Sequence, residues 1–165
     1  MISANNISFT YLECERPDEL NSEDQELILA AKTAAMNAYA PYSGFRVGAA
    51  LRLVTGRIVK GSNVENAAFP SGICAERTAV SYSVANFPDD NIEAIAIAAV
   101  NEKGLTADII SPCGNCRQVL AEEENRTKKP IRIILSGSDR IRVIDSCSNL
   151  LPLQFSKENL TAGRS

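Results

Sequence analysis

Apolar residues recur at two different periods along this chain, and the alternation between them predicts an α/β fold. From Ser22 onward Leu27, Ile28, Ala31, Ala34, Ala35 and Ala38 repeat at helical spacing. Ser22 is an N-cap candidate with Gln25 three residues on, the pattern of a capping box. Pro41 stops that helix, and Pro41-Tyr42-Ser43-Gly44 reads as a turn. Two apolar runs, 45–54 and 57–64, meet at Thr55-Gly56 and predict a β-hairpin. Residues 73–84 return to helical spacing. Residues 92–100 form an almost unbroken apolar run, expected of a strand covered on both faces. A third helix is predicted over 113–126, then short strands over 131–135 and 141–144. Near the N-terminus, 7–12 could add one more short strand. Strands alternating with helices imply a sheet with helices packed on it, a three-layer α-β-α arrangement.

Length and composition fit one domain. The chain has 165 residues, 45% hydrophobic and 22% charged. A domain of this size buries roughly 70% of the surface that its unfolded chain would expose, so its core suffices without staples. The formal charge of −3 and the absence of any Lys/Arg-dense block give no sign of a polyanion-binding surface. No apolar stretch reaches membrane-spanning length, and residues 1–6 do not resemble a secretion signal, so a cytoplasmic protein is expected. Five cysteines in that setting point to metal or redox chemistry rather than disulfides. Histidine is absent altogether, which removes the commonest general base and the commonest metal ligand.

Two segments carry the candidate chemistry, Cys74-Ala75-Glu76 and Pro112-Cys113-Gly114-Asn115-Cys116. Each opens a predicted helix. Cys113 and Cys116 stand three apart, on one helix face, and both can grip one ion. Cys74 opens another helix along the same sheet edge, so three thiolates can converge. Helix starts favour the thiolate form. Three protein ligands leave a tetrahedral zinc one position for a water molecule, the mark of a catalytic site. Glu76, in the first helical turn, is placed to move protons beside the metal. Three thiolates overbalance the charge of a zinc ion, and Arg77 or Arg117 is a candidate to draw charge off a sulfur. Two blander readings stand beside this one. The Cys-x-x-Cys pair could be redox-active, or Cys14 or Cys147 could close a structural zinc site.

The blocks that carry these residues resemble the cytidine deaminase family of the small, nucleoside-specific type. The resemblance spans about 20–160 and rests on residues 41–51, 61–67, 73–79, 111–118 and 150–155. Zinc deaminases with three cysteines and a glutamate acid/base are a known pattern. The resemblance implies a five-stranded mixed sheet flanked by helices, formed by 21–165, with 1–20 as an N-terminal extension outside the pattern. It implies one zinc ion per chain on Cys74, Cys113 and Cys116, with Glu76 as proton shuttle. The activity implied is hydrolytic deamination of cytidine and 2′-deoxycytidine in pyrimidine salvage. Asn63 and Glu65 would bind the ribose 3′-hydroxyl, Phe45 would pack on the pyrimidine, and Ala75 would also contact substrate. Tyr42 and Phe155 would reach the pocket from a neighbouring subunit of a homotetramer. Phe69 stands where a tyrosine is frequent in the family. Independently of the resemblance, Asn63 and Glu65 alternate at a strand end and face one side, where together they can donate to and accept from one hydroxyl. A deaminase of another aminated ring and a non-catalytic zinc-stabilised binding protein are the competing functions.

Overall fold

The computed structural model describes residues 2–161, so residues 162–165 of the expected 21–165 domain lie outside the described residues. Its centre is a mixed sheet of seven strands, two more than the five expected. The strands are β1 (Leu12–Cys14), β2 (Arg46–Leu53), β3 (Ile58–Ser62), β4 (Ile92–Asn101), β5 (Gly104–Leu105), β6 (Arg132–Ser136) and β7 (Ile141–Ile144). They run in the order β1-β7-β6-β4-β2-β3, with β5 added to β4. Only β4 and β6 pair in parallel; the other neighbours are antiparallel. The two extra strands are three and two residues long, too short to show a period of their own. The N-terminal strand also starts at Leu12, where the expected one ended. It exists because Leu12 pairs with Val143, a contact that no local pattern encodes.

Helix α1 (Ser22–Ala35) covers one face of the sheet; α2 (Ala75–Asn86) and α3 (Gly114–Thr127) cover the other, and a short α4 (Lys157–Thr161) follows. This is the three-layer arrangement that the alternating periods imply. The cap of α1 is one residue earlier than expected: Asn21, not Ser22, accepts the Asp24 N–H at 2.8 Å. Both residue types cap well, and Asn21 holds the extended backbone that a cap needs.

The two faces are filled differently. Strand β4 alternates Ala94, Ala96 and Ala98 toward α1 with Ile95 and Ile97 toward α2 and α3. The alanines let α1 lie close to the sheet. At Gly48 of β2 a Cβ atom would sit 2.1 Å from the Ala31 carbonyl oxygen of α1. On the opposite face a Cβ at Gly61 of β3 would meet the Ala75 carbonyl oxygen at 2.4 Å. The second contact matters for the site, because Ala75 begins the helix that carries Glu76. No helix among the described residues is long and apolar enough to cross a membrane.

Candidate active site

Cys74 is the N-cap of α2 and Cys113 the N-cap of α3, which brings two thiols to adjacent helix starts. Cys116 follows in the first turn of α3, buried behind them. The Cys74 and Cys113 sulfurs are 3.9 Å apart, and those of Cys113 and Cys116 are 3.4 Å apart. All three lie within 4.8 Å of one another. Thiolates around a tetrahedral zinc, with Zn–S bonds of about 2.3 Å, would be separated by about 3.8 Å. The trio therefore fits a single zinc ion. Among the described residues no other such group of ligands is present. Cys147, weighed above as a closing ligand, points its thiol at the Arg117 carbonyl, 3.4 Å away. Cys14 lies on β1, paired with Ile141 of β7. Neither supplies a fourth ligand.

Burial raises the Cys74 thiol and pushes Cys116 well above the ordinary thiol range, the nearby Glu76 charge adding to it. Cys113 is the exception. Burial pulls it upward, but the Asn115 and Cys116 backbone N–H groups and the neighbouring thiols outweigh that and lower it. A divalent cation supplies the charge that two of these sulfurs lack, and its binding would release their protons.

Glu76 is 5% exposed. Burial raises its carboxyl, against smaller opposing help from its own backbone N–H and the Cys116 thiol. A cavity of about 720 Å³ opens over these groups, lined by Cys74, Glu76 and Cys113 and also by Asn63 and Glu65. Ala75 and Arg77 also line it. The volume suits a nucleoside-sized ligand.

Asn63 and Glu65 sit just past β3, and both are wired to the loop before β2 or the start of that strand. Asn63 Oδ1 accepts the Val47 N–H at 2.7 Å, and its Nδ2 donates to the Phe45 carbonyl at 3.0 Å. The Glu65 carboxylate accepts the Tyr42 N–H at 2.9 Å and the Ser43 N–H at 3.3 Å. Ser43 Oγ donates to the same carboxylate. These bonds, the Ser43 hydroxyl foremost, hold Glu65 below the usual carboxylate range.

The remaining expectations divide. Tyr42 lines the cavity of its own chain. Phe45 and Phe155 do not line it; Phe45 is half-buried, and Phe155 is 58% exposed with its carbonyl accepting from Gln118. Arg117 is unavailable to the sulfurs: its guanidinium donates to the Pro112 and Leu150 carbonyls at 2.8 and 2.9 Å. Arg77 faces the cavity without a hydrogen bond to a sulfur among the described residues. Ser43, Val47, Asn115 and the exposed Phe69 line the cavity as well. Of these, Ser43 had a usable signal, since it lies in the turn next to Tyr42 with a hydroxyl to offer.

Three thiols gathered at two helix starts, with a buried acid beside them, define a metal-dependent enzyme of the three-thiolate kind. Comparison with known proteins narrows this. The cytidine and deoxycytidylate deaminase zinc-binding region matches residues 21–129. A cytidine deaminase of Sporosarcina psychrophila is 40% identical over 141 residues, covering 83% of this chain and 94% of that protein. One from Halalkalibacterium halodurans is 39% identical over 136 residues, covering 82% and 96%. The crystal structure of cytidine deaminase from Burkholderia pseudomallei superposes with a TM-score of 0.67 at 40% identity, covering 79% of this chain and 97% of that one. The chain belongs to the cytidine and deoxycytidylate deaminase family, and its cofactor is zinc, held by Cys74, Cys113 and Cys116.

Proposed function

We propose that this protein hydrolyses cytidine and 2′-deoxycytidine to the corresponding uridines and ammonia. The observation that carries the reading is the buried Glu76 beside three converging cysteine sulfurs, at the floor of a nucleoside-sized cavity. Zinc, when bound, supplies Lewis-acid activation that brings the ionisation of water toward neutral pH.

The protein's own part is proton transfer and positioning. Glu76, raised by burial, accepts the proton that water loses as its oxygen bonds to C4 of the ring. It returns that proton to N3. It then takes the second water-derived proton from the C4 hydroxyl as the carbonyl forms and the C–N bond breaks, and hands it to the departing amine, so ammonia leaves neutral. A carboxyl held above its ordinary range is suited to both directions of transfer. Asn63 and Glu65 hold the ribose, fixing the ring above the acid. Tyr42 and Ala75 complete the pocket wall. Arg77, which lines the cavity, would draw charge off a thiolate when zinc is bound.

We assign Phe45 to packing on the pyrimidine and Phe155 to closure of the pocket from a neighbouring subunit of a homotetramer. The exposure of Phe69, Leu153 and Phe155, 90%, 92% and 58%, supports burial in such an assembly. A cytoplasmic setting is consistent with five cysteines that form no disulfide. Curated relatives at about 40% identity favour cytidine over another aminated ring or a binding role without turnover.

The deciding assay follows cytidine absorbance with and without a chelator, beside cytosine and single-stranded DNA. Turnover of the nucleosides alone, abolished by the chelator and restored by zinc, is expected. Cytosine or DNA deaminated faster than cytidine would overturn the reading.

A further inference from the structure

Ser43 was absent from the candidate residues, yet it stands at the centre of the polar network over the cavity. Its hydroxyl donates to Glu65 Oε1 and also accepts the Phe45 N–H at 3.0 Å. Glu65 Oε2 takes the Tyr42 and Ser43 N–H groups. An ionised carboxylate offers about four lone-pair sites. Three of them are used by this one turn. Asn63 is similarly occupied: its oxygen accepts Val47, and one of its two amide hydrogens goes to Phe45.

What remains includes one acceptor position on Glu65 and one donor hydrogen on Asn63, beside the second lone pair of Asn63 Oδ1. The free Glu65 position and the free Asn63 hydrogen can hold a single hydroxyl, one accepting its proton and the other donating to its oxygen. Both groups are aimed by the same segment, 42–47, the turn and the first residues of β2, and Ser43 is the only side chain in it that bonds to Glu65. The Glu65 carboxylate takes no hydrogen bond from any other described residue.

We infer that Ser43 is a positioning residue for ribose recognition: its hydroxyl locks the Glu65 carboxylate so that one remaining lone pair meets one substrate hydroxyl. The inference rests on the reading of Asn63 and Glu65 as the ribose contacts. It places the cost of losing Ser43 in substrate binding, and specifically in the part of binding that the 3′-hydroxyl provides. Ser43 makes no hydrogen bond to Glu76, so proton transfer there does not depend on it.

The test is a cycle of Ser43→Ala against removal of the substrate hydroxyl. KM and kcat are measured for cytidine and 3′-deoxycytidine with the zinc-loaded parent, Ser43→Ala and Ser43→Thr. In Ser43→Ala the KM for cytidine should rise about tenfold, as expected for loss of alignment at a charge-assisted hydrogen bond. The change in kcat should be much smaller. For 3′-deoxycytidine the same substitution should change KM less than threefold, roughly, because the interaction it supports is already gone. Ser43→Thr keeps the hydroxyl and should restore most of the cytidine KM. Equal KM losses for the two substrates would make Ser43 a merely structural residue and overturn the inference, as would an unchanged cytidine KM. A parent that deaminates cytidine no better than its 3′-deoxy analogue would overturn the ribose assignment as well, and this inference with it.

Discussion

The two helices that bring cysteines to the site each hide a glutamate, and the protein treats the two oppositely. Glu124 of α3 is 7% exposed and Glu76 of α2 is 5% exposed. Glu124 is surrounded by donors. Its Oε1 accepts the Ile131 and Cys147 N–H groups, both at 2.7 Å, and its Oε2 accepts the Ser148 N–H at 3.0 Å. The hydroxyls of Ser146 and Ser148 add further bonds. Glu76 has only its own backbone N–H and the Cys116 thiol. A buried carboxylate costs little when donors replace its water, and a great deal when they do not. The saturated glutamate ties α3 to the loop before β6 and to the 3-10 turn Cys147–Leu150. The starved one is the group that the proposed mechanism uses to exchange protons with whatever enters the cavity.

The sharpest way to test that contrast is to remove each charge in turn. Glu76→Gln should lower kcat by about 10²–10⁴-fold, the usual contribution of a positioned acid/base. Zinc content, measured by elemental analysis, should stay the same, because no ligand is touched. A variant retaining most of the parent turnover would contradict the proton-transfer role.

Glu124→Ala should do the reverse. It strands several donors in the interior at about 1–3 kcal/mol for each that stays unsatisfied. A loss of about 3 kcal/mol in chemical denaturation is expected. Turnover per folded, zinc-loaded molecule should change little. If kcat fell as steeply as in Glu76→Gln, the division between structural and chemical carboxylates would be wrong.

A smaller effect separates the faces of the sheet. Gly61→Ala and Gly48→Ala each push a methyl group into helix backbone, against α2 and α1 respectively. Overpacking of this kind costs about 1–3 kcal/mol in either case. Only Gly61→Ala displaces the start of α2, where Cys74 and Glu76 reside. It should therefore also lower zinc retention and kcat, whereas Gly48→Ala should leave both near the parent values. Dialysis against a weak chelator, followed by assay, distinguishes them.

The sequence reveals the site more fully than the sheet that supports it. Cys74, Cys113, Cys116 and Glu76 are readable because the chemistry fixes their types and the helix starts fix their spacing. The hairpin and the buried β4 are readable because their patterns are local. Strands β1 and β5 are not, since Leu12–Cys14 becomes a strand only when β7, more than a hundred residues later, offers its edge. The same limit hides Glu124, whose donors come from residues 131 and 146–148. It also hides the cluster in which buried Asp24 meets Arg52 at 3.2 Å and Arg132 at 3.1 Å. Arg117 misleads for a different reason. Adjacency to Cys116 suggests contact, but successive helix residues point in different directions, and this one turns back to cap two loop carbonyls.

The smallest expected effect isolates the electrostatic half of the comparison from catalysis. In the zinc-free protein, burial raises the Glu76 carboxyl above its unfolded value. The native state then holds that proton more tightly than the unfolded chain does. Its stabilising contribution is complete below the ordinary glutamate range, near about pH 4, and fades as pH rises through the higher folded value. Above the ordinary glutamate range the buried carboxyl is therefore a burden, which Glu76→Gln removes. Zinc-free Glu76→Gln should melt above the zinc-free parent at pH 7, and the gap should narrow as pH falls toward 4. The control is Glu124→Gln, which replaces a satisfied carboxylate and should melt below the parent at pH 7. If both glutamines destabilised the zinc-free protein equally at neutral pH, Glu76 would be as well satisfied as Glu124, and the site would hold no reserve of unmet charge for proton transfer.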